Sequence, residues 1–91
     1  MYLSIVVPCY NEEDSLSIFH DEIVKTLTDM EYEIIFVNDG SRDNTLDEMK
    51  KLADTDSKVK YISFSRNFGK ESALYAGLKN AKGGFGLRNG R

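Results

Sequence analysis

Three short runs of branched and aromatic residues alternate along this chain with three stretches whose apolar residues recur every third or fourth position. Leu3–Val7, Glu33–Val37 and Val59–Phe64 are rich in Val, Ile, Phe and Tyr, which fit a pleated surface, and they read as strands. The second run is close to continuously apolar, which predicts a strand covered on both faces, as in a parallel sheet. Between the first two runs, Leu16, Phe19, Ile23, Leu27 and Met30 fall on one helical stripe expected to enter the core. Asn11 or Asp14 can cap that helix, and Glu12, Glu13 and Asp14 suit its electropositive N-terminus. His20, beside Asp21 and Glu22, is expected on its outer face. A second helix is predicted from about Thr45 to Ala53, with Leu46, Met49, Leu52 and Ala53 inward and Asp43 as its N-cap. A third begins near Lys70, carrying Leu74, Leu78 and Ala81 on one side, with Ala73 and Gly77 permitting close packing.

The order β-α-β-α-β-α predicts parallel strands joined by right-handed crossovers, hence one doubly wound, Rossmann-like α/β half. Residues 1–82 form the folded unit of this reading. Residues 83–91, a glycine-rich stretch without periodicity, form an irregular tail.

Composition narrows the classes of function. Ninety-one residues, 41% apolar with five Phe and five Tyr, suffice for one small core and exclude wholesale disorder. Twelve basic against fifteen acidic side chains give a net charge of −3, which argues against a nucleic-acid binder with a basic face. Cys9 is the only cysteine, so no intrachain disulfide can form, and with one histidine no zinc-type ligand set can be assembled. No apolar run approaches the roughly 20 residues of a spanning helix. Met1 leads into a strand instead of a basic n-region, so no signal peptide is expected. The compartment expected is reducing and cytoplasmic.

Ligands of open α/β sheets bind beyond the carboxyl ends of the strands. Three polar loops occupy those places: 8–13, 38–43 and 65–70. No Gly-x-Gly-x-x-Gly and no Walker-type Gly-Lys-Ser/Thr is present, so recognition would rest on side chains more than on a glycine cradle. Glu12 and Asp39 could accept hydrogen bonds from base N–H or ribose hydroxyl groups, Tyr10 offers a stacking face, and Arg66 and Lys70 could balance a diphosphate. Taken singly, each has a plainer reading. Asp39-Gly40 is a common turn pair, Glu12 to Asp14 suit any helix start, Arg66 and Lys70 suit solvent, and Cys9 suits a small buried hydrophobe without a catalytic role. The functional reading rests on three polar loops meeting at one sheet edge.

These loops carry a resemblance. Ser4-Ile5-Val6-Val7-Pro8-Cys9-Tyr10-Asn11-Glu12-Glu13 resembles the opening strand and loop of family 2 glycosyltransferases, which have the GT-A fold. Phe36-Val37-Asn38-Asp39-Gly40-Ser41-Arg42-Asp43-Asn44-Thr45 resembles their second nucleotide-binding loop. Ile62-Ser63-Phe64-Ser65-Arg66-Asn67-Phe68-Gly69-Lys70, running on to Ala76-Gly77-Leu78, is similar to the branch that glycosylates polyprenyl phosphates, which includes dolichyl-phosphate mannose synthases and bactoprenol glucosyltransferases. Together the three motifs cover about Leu3 to Gly83, and their order and spacing make them specific.

The resemblance implies that Pro8, Tyr10 and Glu12 line a nucleotide pocket, that Asp39 holds the base or ribose, and that Gly40 and Ser41 shape its loop. Arg66 and Lys70 would lie near the donor. The implied chemistry is transfer of a sugar from a UDP- or GDP-linked donor to a lipid phosphate, with inversion at the anomeric carbon. The parent enzyme would use Mg²⁺ or Mn²⁺ against the leaving diphosphate and work at the cytoplasmic face of the membrane.

Members of the family continue with Gly-Asp, a fourth hydrophobic strand, an Asp-x-Asp metal motif and an acceptor half with the catalytic base. This chain departs from that pattern after Lys82-Gly83. The expectation is therefore a GT-A half truncated before its fourth strand, with no catalytic residue, metal ligand or cofactor of its own. Two alternatives stay open: a non-catalytic nucleotide-diphosphate-binding module, or a folded remnant that self-associates through an exposed sheet edge. Gly83-Gly84-Phe85-Gly86 can be encoded through a run of G bases. Removing one G permits the tail to be re-read as Gly-Asp-Leu-Val-Tyr-Val-Met-Asp-Ala, so a frameshift is the expected origin of 83–91. The alternative is a gene that ends in unrelated residues.

Overall fold

Successive side chains of a strand point to opposite faces, and along Glu31–Asn38 both sets are buried after the first residue. The computed structural model describes residues 2–81, in which this central strand is β2. It lies between β1 (Tyr2–Cys9) and β3 (Val59–Ser63), paired in parallel with both. Helices α1 (Leu16–Thr26), α2 (Thr45–Thr55) and α3 (Lys70–Asn80) follow the three strands in turn. The expectations for residues 83–91, including the missing fourth strand and the altered reading frame, lie outside the described residues.

Alternation along β2 sets the layers. Tyr32, Ile34 and Phe36 face Leu16 and Ile23 of α1 and Met49 of α2, forming the larger core. Ile35 and Val37 face Ala73 and Ala81 on the α3 side. Full burial of side chains such as Phe36 and Ile34 stabilises the fold by about 1.5–3 kcal/mol each. On α3, Gly77 is required by close approach, because a Cβ there would collide with the Val6 side chain. The strands end in register: Cys9 pairs with Asn38, and Asn38 with Ser63. Their C-termini thus open onto one rim, where the three polar loops meet.

Several local expectations are corrected. His20 is not on the outer face of α1: its side chain is only 12% exposed and its Nε2 lies 2.8 Å from Asp56 Oδ2. The reason is geometric, since Leu16, His20, Ile23 and Leu27 follow spacings of four, three and four and share the inward stripe. Phe19 is exposed, and so is Met30, which lies beyond the end of α1, where helical periodicity no longer applies. Neither Asn11 nor Asp14 caps α1; Ser15 holds that position without a side-chain capping bond. At α2 the N-cap residue is Asn44, while Asp43 Oδ1 receives the Thr45 N–H at 2.9 Å. Within the apolar run of β2, Glu33 is fully buried, and its carboxylate receives the Ser4 hydroxyl at 2.7 Å and the Lys60 ammonium at 2.6 Å.

Candidate functional site

Where β1 ends, the chain turns sharply at Asn11, whose φ of 55° is the left-handed conformation that asparagine tolerates. β2 gives way to Asp39 and Gly40, and β3 to the segment that enters α3 at Lys70. Between these ends lies a cavity of about 300 Å³ lined by Pro8, Cys9, Tyr10, Glu12, Asp39, Asn67, Gly69 and Lys70. Of the residues expected at a site, Pro8, Tyr10, Glu12, Asp39 and Lys70 are brought together in its wall. Gly40, Ser41 and Arg66 are not. Asn67 and Gly69 line it as well, and sequence reasoning passed over both. An Asn three residues before a helix that follows a strand was the available signal.

Asp39 is buried, and most of its accepting capacity is already used. Its Oδ1 receives the Phe68 N–H at 2.8 Å, and its Oδ2 receives the Gly69 N–H at 3.0 Å and the Asn67 amide at 3.2 Å. A carboxylate has about four lone-pair positions, so one remains for a donor in the cavity. Asp39 is therefore an anchor for the β3–α3 loop in addition to a cavity residue.

The other expected residues shape the rim from behind. Gly40 has φ +71°, and a Cβ there would run into the backbone of Arg66 and Asn67, so only glycine lets the second and third loops touch. Ser41 Oγ accepts the Asn11 N–H at 2.9 Å, its own N–H donates to Asn38 Oδ1 at 3.0 Å, and Asn11 Oδ1 receives the Arg42 N–H at 2.8 Å. Arg66 lies with its guanidinium 4.8 Å from the Phe68 ring centre, outside the cavity wall. Phe68 in turn meets Phe64 edge-on at 5.5 Å between ring centres.

A second set of bonds ties the first loop to α2. Thr45 Oγ1 accepts the Glu12 N–H at 2.8 Å, Asp43 Oδ2 accepts the Glu13 N–H at 3.3 Å, and Glu13 Oε1 accepts the Asn44 N–H at 3.0 Å. Desolvation works to raise the Asp43 pKa, yet the bonds from Thr45 and Glu13 outweigh it and hold the carboxyl below its ordinary value. Cys9 is 3% exposed, and burial, followed by the nearby Glu12 charge, pushes its thiol up to about 12. It is a packed wall residue at the end of β1, the small buried hydrophobe that its residue type suggested. A neighbouring cavity of about 220 Å³ shares Pro8, Cys9 and Glu12 and extends along α1 to Phe19.

The cleft thus presents an exposed aromatic face at Tyr10, two carboxylates and one ammonium. Among the described residues, no group of three or more His, Cys, Asp or Glu converges to hold a metal ion. Nor is any helix among them long and apolar enough to cross a membrane.

A parallel sheet with a polar cleft at its strand ends defines an open α/β domain of the Rossmann-like class. The model of the family described as "Glycosyl transferase family 2" matches residues 4–87, and the chain belongs to that family. It is 49% identical over 83 residues to the putative glycosyltransferase CsbB of Bacillus subtilis (strain 168), covering 89% of this chain and 25% of that protein. It is 47% identical over 85 residues to the prophage bactoprenol glucosyl transferase homolog of Escherichia coli (strain K12), covering 91% of this chain and 28% of that one. Among solved structures, S. aureus TarS 1–349 matches with a TM-score of 0.75 at 27% identity, over 91% of this chain and 25% of that chain. The three-stranded unit is a Rossmann-like part of a GT-A fold. It spans about a quarter of the length of the curated relatives it matches.

Proposed function

We propose that this chain is the nucleotide-binding part of a glycosyltransferase that moves a sugar from a UDP- or GDP-linked donor to a polyprenyl phosphate. The cleft carries this reading. Tyr10 offers a face to a planar base, Glu12 and the remaining position of Asp39 accept from base N–H or ribose O–H, and Lys70 faces the same space. Lys70 is also the first residue of α3, so its charge adds to the positive end of the helix, where a diphosphate is favoured. Relatives named as bactoprenol glucosyl transferases support the acceptor class.

The whole enzyme would transfer with inversion, by direct displacement at the anomeric carbon, at the cytoplasmic face of the membrane. For the chain by itself the proposal is nucleotide binding; it spans about a quarter of the length of the relatives it matches. Mg²⁺ or Mn²⁺ is proposed for the whole enzyme only. Among the described residues, no group of three or more His, Cys, Asp or Glu comes together to hold one.

Calorimetric titration with UDP and GDP, with and without Mg²⁺, tests the reading. Binding of at least one nucleotide, independent of metal and lost in Asp39→Ala, is the expected result. No heat with either nucleotide would sink it.

A second proposed property is self-association through the β1 edge of the described sheet. Tyr2–Cys9 forms one edge of the described sheet and carries no charged side chain, whereas the opposite edge, β3, carries Lys60. Light scattering should give a mass that rises with concentration, and a Tyr2→Lys variant should lower it. A monodisperse monomer at high concentration excludes this property.

A further inference from the structure

Thr45, the first residue of α2, has no accessible surface, yet its hydroxyl both accepts and donates a hydrogen bond. Its Oγ1 accepts the Glu12 N–H at 2.8 Å and donates to Asp43 Oδ1. The direction is forced, because a peptide N–H only donates and an ionised carboxylate only accepts. Asp43 is held in place from two sides. Its Oδ1 also takes the Thr45 N–H at 2.9 Å, and its Oδ2 takes the Glu13 N–H at 3.3 Å. Glu12 is thereby pinned at its nitrogen by α2, while its carboxylate stands in the cleft wall, where Oε1 receives the Ser15 hydroxyl at 2.8 Å. A buried hydroxyl has no water to replace a lost partner, so this pin is not shared with solvent.

We propose that Thr45, braced by Asp43 and acting through the Glu12 peptide, is the positioning residue that sets the Glu12 carboxylate for a nucleoside diphosphate in the cleft. The proposal rests on the nucleotide reading above. Glu12 is exposed, and two bonds hold it: the Ser15 hydroxyl on its carboxylate and Thr45 on the peptide behind it. Groups that recognise a ligand need support of this kind to hold their geometry.

The test uses Thr45→Val, which keeps the volume and deletes the relay, and Thr45→Ser, which keeps the relay. Two quantities are read on the whole chain: hydrogen exchange of the Glu12 amide by NMR, and UDP and GDP affinity by calorimetry. In Thr45→Val the Glu12 amide should exchange about tenfold faster and affinity should fall about tenfold, the loss expected for one hydrogen bond. Thr45→Ser should restore both to within about twofold, on the same basis. In a Glu12→Ala background, Thr45→Val should cost affinity less than about twofold, because the two act as one unit. Equal losses in both backgrounds overturn the proposal, as does unchanged Glu12 exchange in Thr45→Val. If wild-type protein binds neither nucleotide, the nucleotide reading falls, and Glu12 exchange alone decides whether Thr45 is the pin. Should Thr45→Val fail to fold, Asp43→Ala removes the other end of the relay and is read in the same way.

Discussion

Asn67 reaches Asp39 twice, donating to its main-chain oxygen at 3.1 Å and to its carboxylate at 3.2 Å. The Phe68 and Gly69 N–H groups converge on the same carboxylate, so one buried acid at the end of β2 holds the loop that leads into α3. Cavity wall and loop anchor are one residue.

Asp39→Ala should therefore destabilise the fold by about 2–3 kcal/mol, since it strands two peptide donors and an amide that lose a charged acceptor. Asn67→Ala should cost less, about 1–2 kcal/mol, since it removes one donor from that carboxylate and leaves the two peptide donors in place. Urea unfolding checks both, and equal costs would contradict the anchor. If Asp39 also contacts the nucleotide directly, its replacement should weaken binding more than the Asn67 replacement does.

The two left-handed glycines make different demands. Gly69 has φ +105° but open space around a Cβ, whereas Gly40 at φ +71° faces the backbone of Arg66 and Asn67. Gly69→Ala should cost about 1–3 kcal/mol, the range for backbone strain alone. Gly40→Ala should cost more, because strain and collision add. Thermal unfolding gives the order, and a milder Gly40→Ala would show that the second and third loops are not in contact.

Acid should release the His20–Asp56 pair. Desolvation tends to raise the Asp56 pKa, but the His20 bond, the Lys58 N–H and the charges of both hold it below its ordinary value. A depressed carboxyl contributes stability above its unfolded pKa of about 3.9 and loses it as pH falls through the folded value. Stability of wild-type protein should therefore drop more steeply than that of Asp56→Asn on acidification below about pH 4. Parallel curves from urea titrations between pH 2 and 6 would refute the linkage.

Cys9 should be inert in the folded protein. With its thiol pushed up to about 12, the reactive thiolate at pH 8 should be roughly three orders of magnitude rarer than in an unfolded chain. Labelling by a disulfide reagent should be slow in buffer and fast in urea. Comparable rates in the two would mean that the wall of the cleft is open to solvent.

Much of this architecture was legible from residue order. The β2 pattern announced a strand covered on both faces, and Ala73 and Gly77 announced the close approach of α3 to the sheet. The site was partly legible, since Pro8, Tyr10, Glu12, Asp39 and Lys70 share the cavity. Gly40 and Ser41 serve it from behind, and Arg66 turns to Phe68. His20 was misplaced because an imidazole between Leu16 and Ile23 looks polar in a pattern, although its spacing puts it on their stripe. Thr45 was overlooked because a hydroxyl at a helix start has many uses.

The sequence by itself determined which segments become strands and helices and which faces they bury. Burial repeats with the period of the element, and a period is written locally in residue order. Only the tertiary structure decided the partners of Asp39, Thr45 and His20, which lie about thirty residues from the groups they hold. A hydrogen bond between two loops leaves no period in either, so its donor and acceptor become a pair only when parallel strands end in register and bring the loops to one rim.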